Sequence, residues 1–285
     1  MTDQLGIQPF GINAPDKDHR IIIMISLKKL WVYRETINSL ALREFQSRYA
    51  GTAAGILWTF IQPVTIVAVF YFVFSIGFKA KAPDNVPFIL WFCVGLMAWF
   101  YFSETLTSIV GVISNNANLV KKTVFPVEVL PVIQIQAGII QHLIFMSIVL
   151  VVLLIYGTDF KLFRLTVFYY MIAVSAFILG IGLILSSIAV FWKDVSQGIS
   201  VVLNIWFWIT PIVWDQAIMP EEYNWIFSWN PMFYIVEGYR GALIYPEFIS
   251  PDFSQALFFW GVTFILLGIG SYVFRRLKPE FADVL

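Results

Sequence analysis

Apolar and polar positions along this chain alternate on the scale of membrane spans. Six stretches are apolar over lengths near the 20 residues that a hydrocarbon core requires: 55–78, 88–113, 132–156, 167–191, 199–214 and 256–274. The first, of 24 residues, makes roughly 36 Å of helix, enough to cross with some tilt. Gln62 and Pro63 interrupt it, and a proline there frees a carbonyl and can kink the helix. The fifth stretch is shorter and stops abruptly at Trp214, followed by Asp215. Ahead of the first span, Leu27, Leu30, Trp31, Ile37, Leu40, Ala41 and Phe45 recur at loose helical spacing between charged residues. This stripe predicts a helix lying along the membrane face, so that residues 1–50 form one segment and 51–285 the transmembrane domain.

Two connections carry more than a plain turn needs. Residues 114–131, SNNANLVKKTVFPVEVLP, mix a lysine pair with Val, Leu and Phe and are closed by Pro126 and Pro131. They suit either a short helix held against something outside the membrane or a capped turn between two spans. Residues 215–252 form a long stretch rich in aromatics and poor in charge over much of its length. It is predicted to sit at the interface or re-enter the membrane, because structureless loops beyond about 12–15 residues are uncommon.

Composition agrees with a bilayer. The chain is 59% hydrophobic and 13% charged, with a mean hydropathy of +0.80, against roughly 25% charged residues in soluble domains. The early apolar run 21–27 is too short to span and runs into Lys28 and Lys29 without a cleavage site, so a secretory signal is not expected. Net charge is zero, yet the charges are segregated. With the N-terminus in the cytoplasm, thirteen Lys and Arg lie inside and five outside (Lys79, Lys81, Lys161, Arg164, Arg240), as the positive-inside rule demands. Both termini are therefore expected to be cytoplasmic. Arg43, Arg48 and Tyr49, beside the first span, suit lipid headgroups.

Enzyme chemistry is hard to find. The chain has no phosphate-binding G-x-x-x-x-G-K-[ST] loop and no H-E-x-x-H, and its lone Cys93 excludes an intrachain disulfide and cysteine metal clusters. His142 reads as a hydrogen-bonded packing residue, and Gly180, Gly182, Gly268 and Gly270 as points of close helix approach. Glu104 is an acid deep in a span, which defaults to a functional hypothesis; Ser103 and Thr107 are the neighbours available to bond it. Trp58, Gln62 and Thr65 share one helical face, as do Asn204, Trp208 and Pro211. Rings beside amides suit sugars, the ring stacking on C–H faces and the amide bonding hydroxyls. Helix-packing surfaces share this pattern.

Several ordered motifs resemble the membrane subunit of ABC-2-type polysaccharide exporters, the family that moves O-antigen, capsular polysaccharide or teichoic acid. They are LREFQSRYAGTAAGILWTFIQP entering the first span, NNANLVKKTVFPVEVLP after the second and FWKDVSQGI after the fourth. WFWITPIVW and WNPMFYIVEGYRGALI follow before the last span. The resemblance implies an all-α integral membrane fold of six transmembrane helices in the bacterial inner membrane. Added to these are an N-terminal amphipathic interface helix, a cytoplasmic coupling helix and external re-entrant gate helices between spans five and six. It implies a homodimer enclosing a channel and docked to two copies of a separate ATP-binding subunit. ATP and Mg would be bound by that partner, with no cofactor, metal or catalytic residue in this chain. Arg43, Arg48 and Tyr49 would belong to the interface helix, and Asn118, Leu119, Val120, Lys121 and Lys122 to the coupling helix. Trp58, Gln62, Asn204 and Trp208 are candidate channel linings, and Trp229, Asn230, Pro231, Tyr234, Glu237 and Arg240 belong to the external gate.

The expected cargo is a lipid-linked polysaccharide, with membrane lipids as surroundings and no nucleic acid. Six acids of 215–252 against Arg240 give a net of −5, which leans toward a neutral O-antigen over a polyacid. Open alternatives are an ABC-2 exporter of another lipid or drug, or of teichoic acid or capsule. An integral-membrane enzyme of polymer synthesis would need more than Arg240 to bind sugar phosphates, and a proton-coupled carrier rests on Glu104.

Overall fold

A computed structural model describes residues 31–122, 125–159 and 161–285, which form a helical bundle without strands among the described residues. The first described helix, α1 (Arg34–Ser47), lies at one end of the bundle, here the near face. Its apolar stripe is buried: Ile37, Ala41 and Phe45 face α6 (Leu130–Ile155). The helix expected along the membrane surface is thus packed on protein, because its apolar positions meet the apolar start of α6. The part of that stripe before Trp31 lies outside the described residues.

Among the described residues, five helical stretches are long and apolar enough to cross a membrane: Gly55–Gly77, Phe88–Val110, Val127–Ile155, Leu162–Ala189 and Phe253–Val284. The first comprises α2 (Trp58–Phe70) and a π-helical continuation over Tyr71–Gly77. The helix runs through Pro63. The second is α3 (Phe88–Val110), followed at the near face by the short helices α4 (Val112–Asn115) and α5 (Ala117–Lys122). After α6 come α7 (Thr166–Ala189) and α8 (Asp194–Ile209). The stretch expected to span over 199–214 has different bounds. Its helix starts earlier, has 16 residues and stops at Thr210, whose backbone turns extended (ψ 128°) before Pro211. A proline restricts the residue before it to extended conformations, which ends the helix short of a full span.

The far end is closed by α9 (Trp225–Ser228) and α10 (Pro231–Leu243), and α11 (Phe253–Leu277) returns to the near face, ending in α12 (Phe281–Val284). The central element is α3, which packs against α6, α7, α8 and α10. α7 and α11 pack along their length. A Cβ on Gly270 would lie 2.6 Å from the Gly180 carbonyl oxygen, and one on Gly180 would lie 3.0 Å from the Leu267 nitrogen. Small residues let these backbones meet as expected. Gly268 differs from the expectation, since it faces open space.

Candidate functional site

Polar residues from several of the long helices converge on one groove. It has a volume of about 980 Å³ and is bordered by α1, α2, α3, α6 and α8. Gln62 comes from α2, Glu104 and Ser108 from α3, Gln134 and Gln141 from α6, Ser200 and Asn204 from α8, with the rings of Phe70, Trp99, Phe100 and Phe207 between them. Its polar floor is a bonded network. Arg48, the C-cap residue of α1, donates to Gln141 Oε1 (2.9 Å), Ser108 Oγ (3.2 Å) and Gln134 Oε1 (3.3 Å). Gln141 in turn donates to Glu104 Oε2 at 2.6 Å.

Two expectations change here. Arg48, read as suiting headgroups, turns toward the bundle and joins α1 to α3 and α6, while Arg43 stays exposed. Glu104 is held by Gln141 across the helix interface, not by Ser103 or Thr107. The Thr107 hydroxyl donates back to the Ser103 carbonyl of its own helix. A hydroxyl that satisfies itself on the i−4 carbonyl is not available to a neighbour.

Of the four channel candidates, Gln62 and Asn204 line the groove. Trp58 and Trp208 are exposed but lie outside its lining, and Pro211 is no longer helical, so the Asn204–Trp208–Pro211 face dissolves at the break. Thr65 donates to the Ile61 carbonyl of its own helix. Tyr49 is half-buried at the groove's near end, its ring edge-on to Phe45 at 5.7 Å.

At the near face, α5 occupies the stretch expected to hold a short helix. Asn118 and Lys121 are exposed, whereas Leu119 and Val120 turn inward onto the apolar cluster of Val112, Ile113, Val127 and Phe281. Within this coupling candidate, Leu119 and Val120 therefore pack against the protein. The Lys122 side chain lies outside the described part.

The far cap is organised by Arg240, which the sequence places in an external loop and the fold buries completely. Its guanidinium lies over the Trp91 ring, 3.4 Å from the centroid, and donates to the carbonyls of Pro211 (2.9 Å), Ile212 (3.1 Å) and Trp91 (3.3 Å). Glu237, one helical turn away, completes the set at 2.7 Å. The helix break after α8 exposes carbonyls, and Arg240 is the donor that satisfies them. Asn230 caps α10 by accepting from the Met232 amide, also accepts from Trp206 Nε1 (2.8 Å), and donates to Thr210 Oγ1 (2.9 Å). Pro231 opens the helix, where its missing N–H costs nothing. The Tyr234 hydroxyl pairs with that of Tyr169 at 3.0 Å, while Trp229 is exposed with its ring against Phe258. Arg164 donates to the carbonyls of Leu243 and Tyr245 and so pins the end of α10.

Beside this cap is a second cavity of about 680 Å³, lined by Asp84, Asp215, Glu221 and Glu237 together with Tyr245 and several amides. Burial, then the carboxylates of Glu237 and Asp84, push the Tyr245 phenol up to about 12, so it stays a hydrogen-bond donor. His142 donates or accepts with the Tyr239 hydroxyl at 3.0 Å and is a packed core residue.

Trp99, Phe207, Gln134 and Gln141 went unrecognised as site residues. Gln134 and Gln141 are two helical turns apart, and Glu104 and Ser108 one turn, so a search for polar residues sharing a face within spans finds them.

Long apolar helices around a polar, ring-lined groove define an integral membrane protein with a polar surface between its spans. Residues 35–244 match the ABC-2 type transporter family, and the chain belongs to it. It is 28% identical over 260 residues to an O-antigen export system permease protein of Myxococcus xanthus, covering 90% of this chain and 98% of the relative. It is 27% identical over 244 residues to the protein of the same description from Klebsiella pneumoniae, covering 85% and 92%. A polysialic acid transport protein of Escherichia coli is 25% identical over 252 residues, covering 86% and 94%.

Proposed function

We propose that this chain is the membrane subunit of an exporter of lipid-linked polysaccharide, working with a separate ATP-binding subunit. The observation that carries this reading is the groove. Its wall holds the Glu104 carboxylate and the amides of Gln62, Gln134, Gln141 and Asn204 on the apolar helices, with the Arg48 guanidinium at their near end, and polar side chains facing hydrocarbon are disfavoured. Such a wall has to be covered, and a second copy of the chain covers it while leaving a polar passage between the two. Amides and rings along the passage offer hydrogen bonds to hydroxyls and stacking surfaces to sugar C–H faces.

In this arrangement α8 and the stretch after it complete a sixth crossing, which puts both termini in the cytoplasm of a bacterial inner-membrane protein. The near face then meets the ATP-binding subunit, with α5 as coupling helix and exposed Asn118 and Lys121 in contact. The far cap of α9 and α10 acts as the external gate, in which Arg240 fixes the frame and exposed Trp229 faces the exit. The carboxylates of the far cavity favour an uncharged glycan such as O-antigen over a polyacid, since like charges repel within a Debye length of roughly 8 Å.

Deletion of the gene should remove surface polysaccharide while its lipid-linked precursor accumulates inside the cell, and the full chain should co-purify with an ATP-binding subunit. Unchanged surface polysaccharide in the deletion strain would refute the reading.

A further inference from the structure

Residues 278–285, just after α11, are firmly seated at the near face. Phe281 is fully buried, its ring edge-on to Phe274 at 5.5 Å and beside Phe191 at 6.2 Å. Lys278 Nζ donates to Glu128 Oε2 at 2.7 Å, joining the end of α11 to the 3-10 turn Val127–Val129 just before α6. α12 packs on α5, and Leu277 and Leu285 join the same cluster that receives Leu119 and Val120. Residues 278–285 therefore hold α5 by apolar packing and the Val127–Val129 turn through Glu128 by charge.

This matters because α5 has six residues. Isolated helices shorter than about 12–15 residues are marginal in water, so a helix of this length takes its orientation from what it packs against. Its inner side rests partly on the C-terminal segment. Its outer side carries Asn118 and Lys121. A tilt of α5 moves these two side chains without altering any span.

We infer that residues 278–285 are a positioning strut that sets the angle at which α5 meets the ATP-binding subunit. The inference rests on the proposed role of α5. Phe281 and Lys278 act through α5 and touch neither polymer nor nucleotide.

The test uses the full chain in complex with the ATP-binding subunit that co-purifies with it. Three quantities are measured for the wild type, Phe281→Ala, Phe281→Leu and Lys278→Ala: subunit retained, ATP hydrolysed, and polysaccharide exported per ATP hydrolysed. Phe281→Ala and Lys278→Ala are expected to insert and retain the subunit while export per ATP falls about fivefold. Phe281→Leu, which keeps most of the buried volume, should restore the ratio. A reduced amount of complex with an unchanged ratio would overturn the strut, because support of the fold alone changes how much complex exists and not how it couples. Should Phe281→Ala fail to accumulate, Lys278→Ala decides the matter alone, since Lys278 is partly exposed and its truncation leaves no core cavity. A wild-type chain that retains no ATP-binding subunit overturns the proposed function itself. An exporting wild type beside equally well-coupled variants overturns only the strut.

Discussion

The first and second spans are each 23 residues long and both apolar, yet within an apolar 18-residue window of each, 6% of one and 78% of the other is buried within the protomer. In α3, residues Leu90–Ala98 are buried without interruption, and Phe102 packs on Phe177 and Trp206. In α2, Thr59 is the single buried residue, and Trp58, Phe60, Ile61, Val64 and Val69 face outward. Apolar composition marks a helix as belonging in the membrane. Whether its surface meets protein or lipid depends on its neighbours, because lipid tails are as apolar as leucine and give no hydrophobic force for helices to associate. What tells the two apart is the polar content. The α3 side facing the groove carries Glu104 and Ser108, which need partners, while α2 offers Gln62 as its one polar side chain there, beside Ile66 and Phe70.

This difference predicts a graded set of outcomes. Arg240→Met should have the largest effect, because it removes the donor that ties the first turns of α3 to the α8 break and to Glu237. Loss of one member of a buried, paired set costs about 3–5 kcal/mol. Thermal unfolding of the purified chain should show it, and a melting temperature equal to wild type would refute the pinning role. Phe102→Ala in α3 is expected to cost about 3–5 kcal/mol as a core cavity. Phe72→Ala, on the exposed face of the first span, should change protomer stability by no more than about 0.5 kcal/mol. Equal losses in the two variants would erase the contrast between the spans.

Gln62→Leu should leave the melting temperature near that of wild type and lower polysaccharide export, since the amide lines the groove without holding the fold. Normal export would reduce the contribution of the first span to packing. The smallest effect belongs to Thr59→Val. The Thr59 hydroxyl is buried without a partner among the described residues. Removing an unsatisfied buried hydroxyl of similar volume should leave stability unchanged or raise it by up to about 1 kcal/mol. A clear drop in melting temperature would mean that this hydroxyl anchors α2 to the bundle.

How much was legible varied by residue. His142 and the Gly180–Gly270 approach read correctly, because a lone histidine among apolar residues and small residues within a span have few other roles. The bonding partners of Arg48 and Arg240 were not legible, for a shared reason. Each sits next to a span in sequence, which suggests an interfacial charge. The fold supplies acceptors 60–93 residues away for Arg48 and, Glu237 apart, 28–149 residues away for Arg240, which local sequence does not reveal. Trp58 and Trp208 carried the right chemistry for sugars, yet helix rotation and the break at Thr210 leave them outside the groove.

By itself the sequence determined that this is a helical membrane protein, where its helices lie to within a few residues, and which family it resembles. Those properties follow from run length, hydropathy and local motifs, all set along the chain. Only the tertiary structure decided that α3 forms the core while α2 stands at its edge, that α1 packs on α6, and that Arg48 and Arg240 are interior donors. A buried polar group must be satisfied wherever acceptors happen to be, and the acceptors come from helices far apart in sequence.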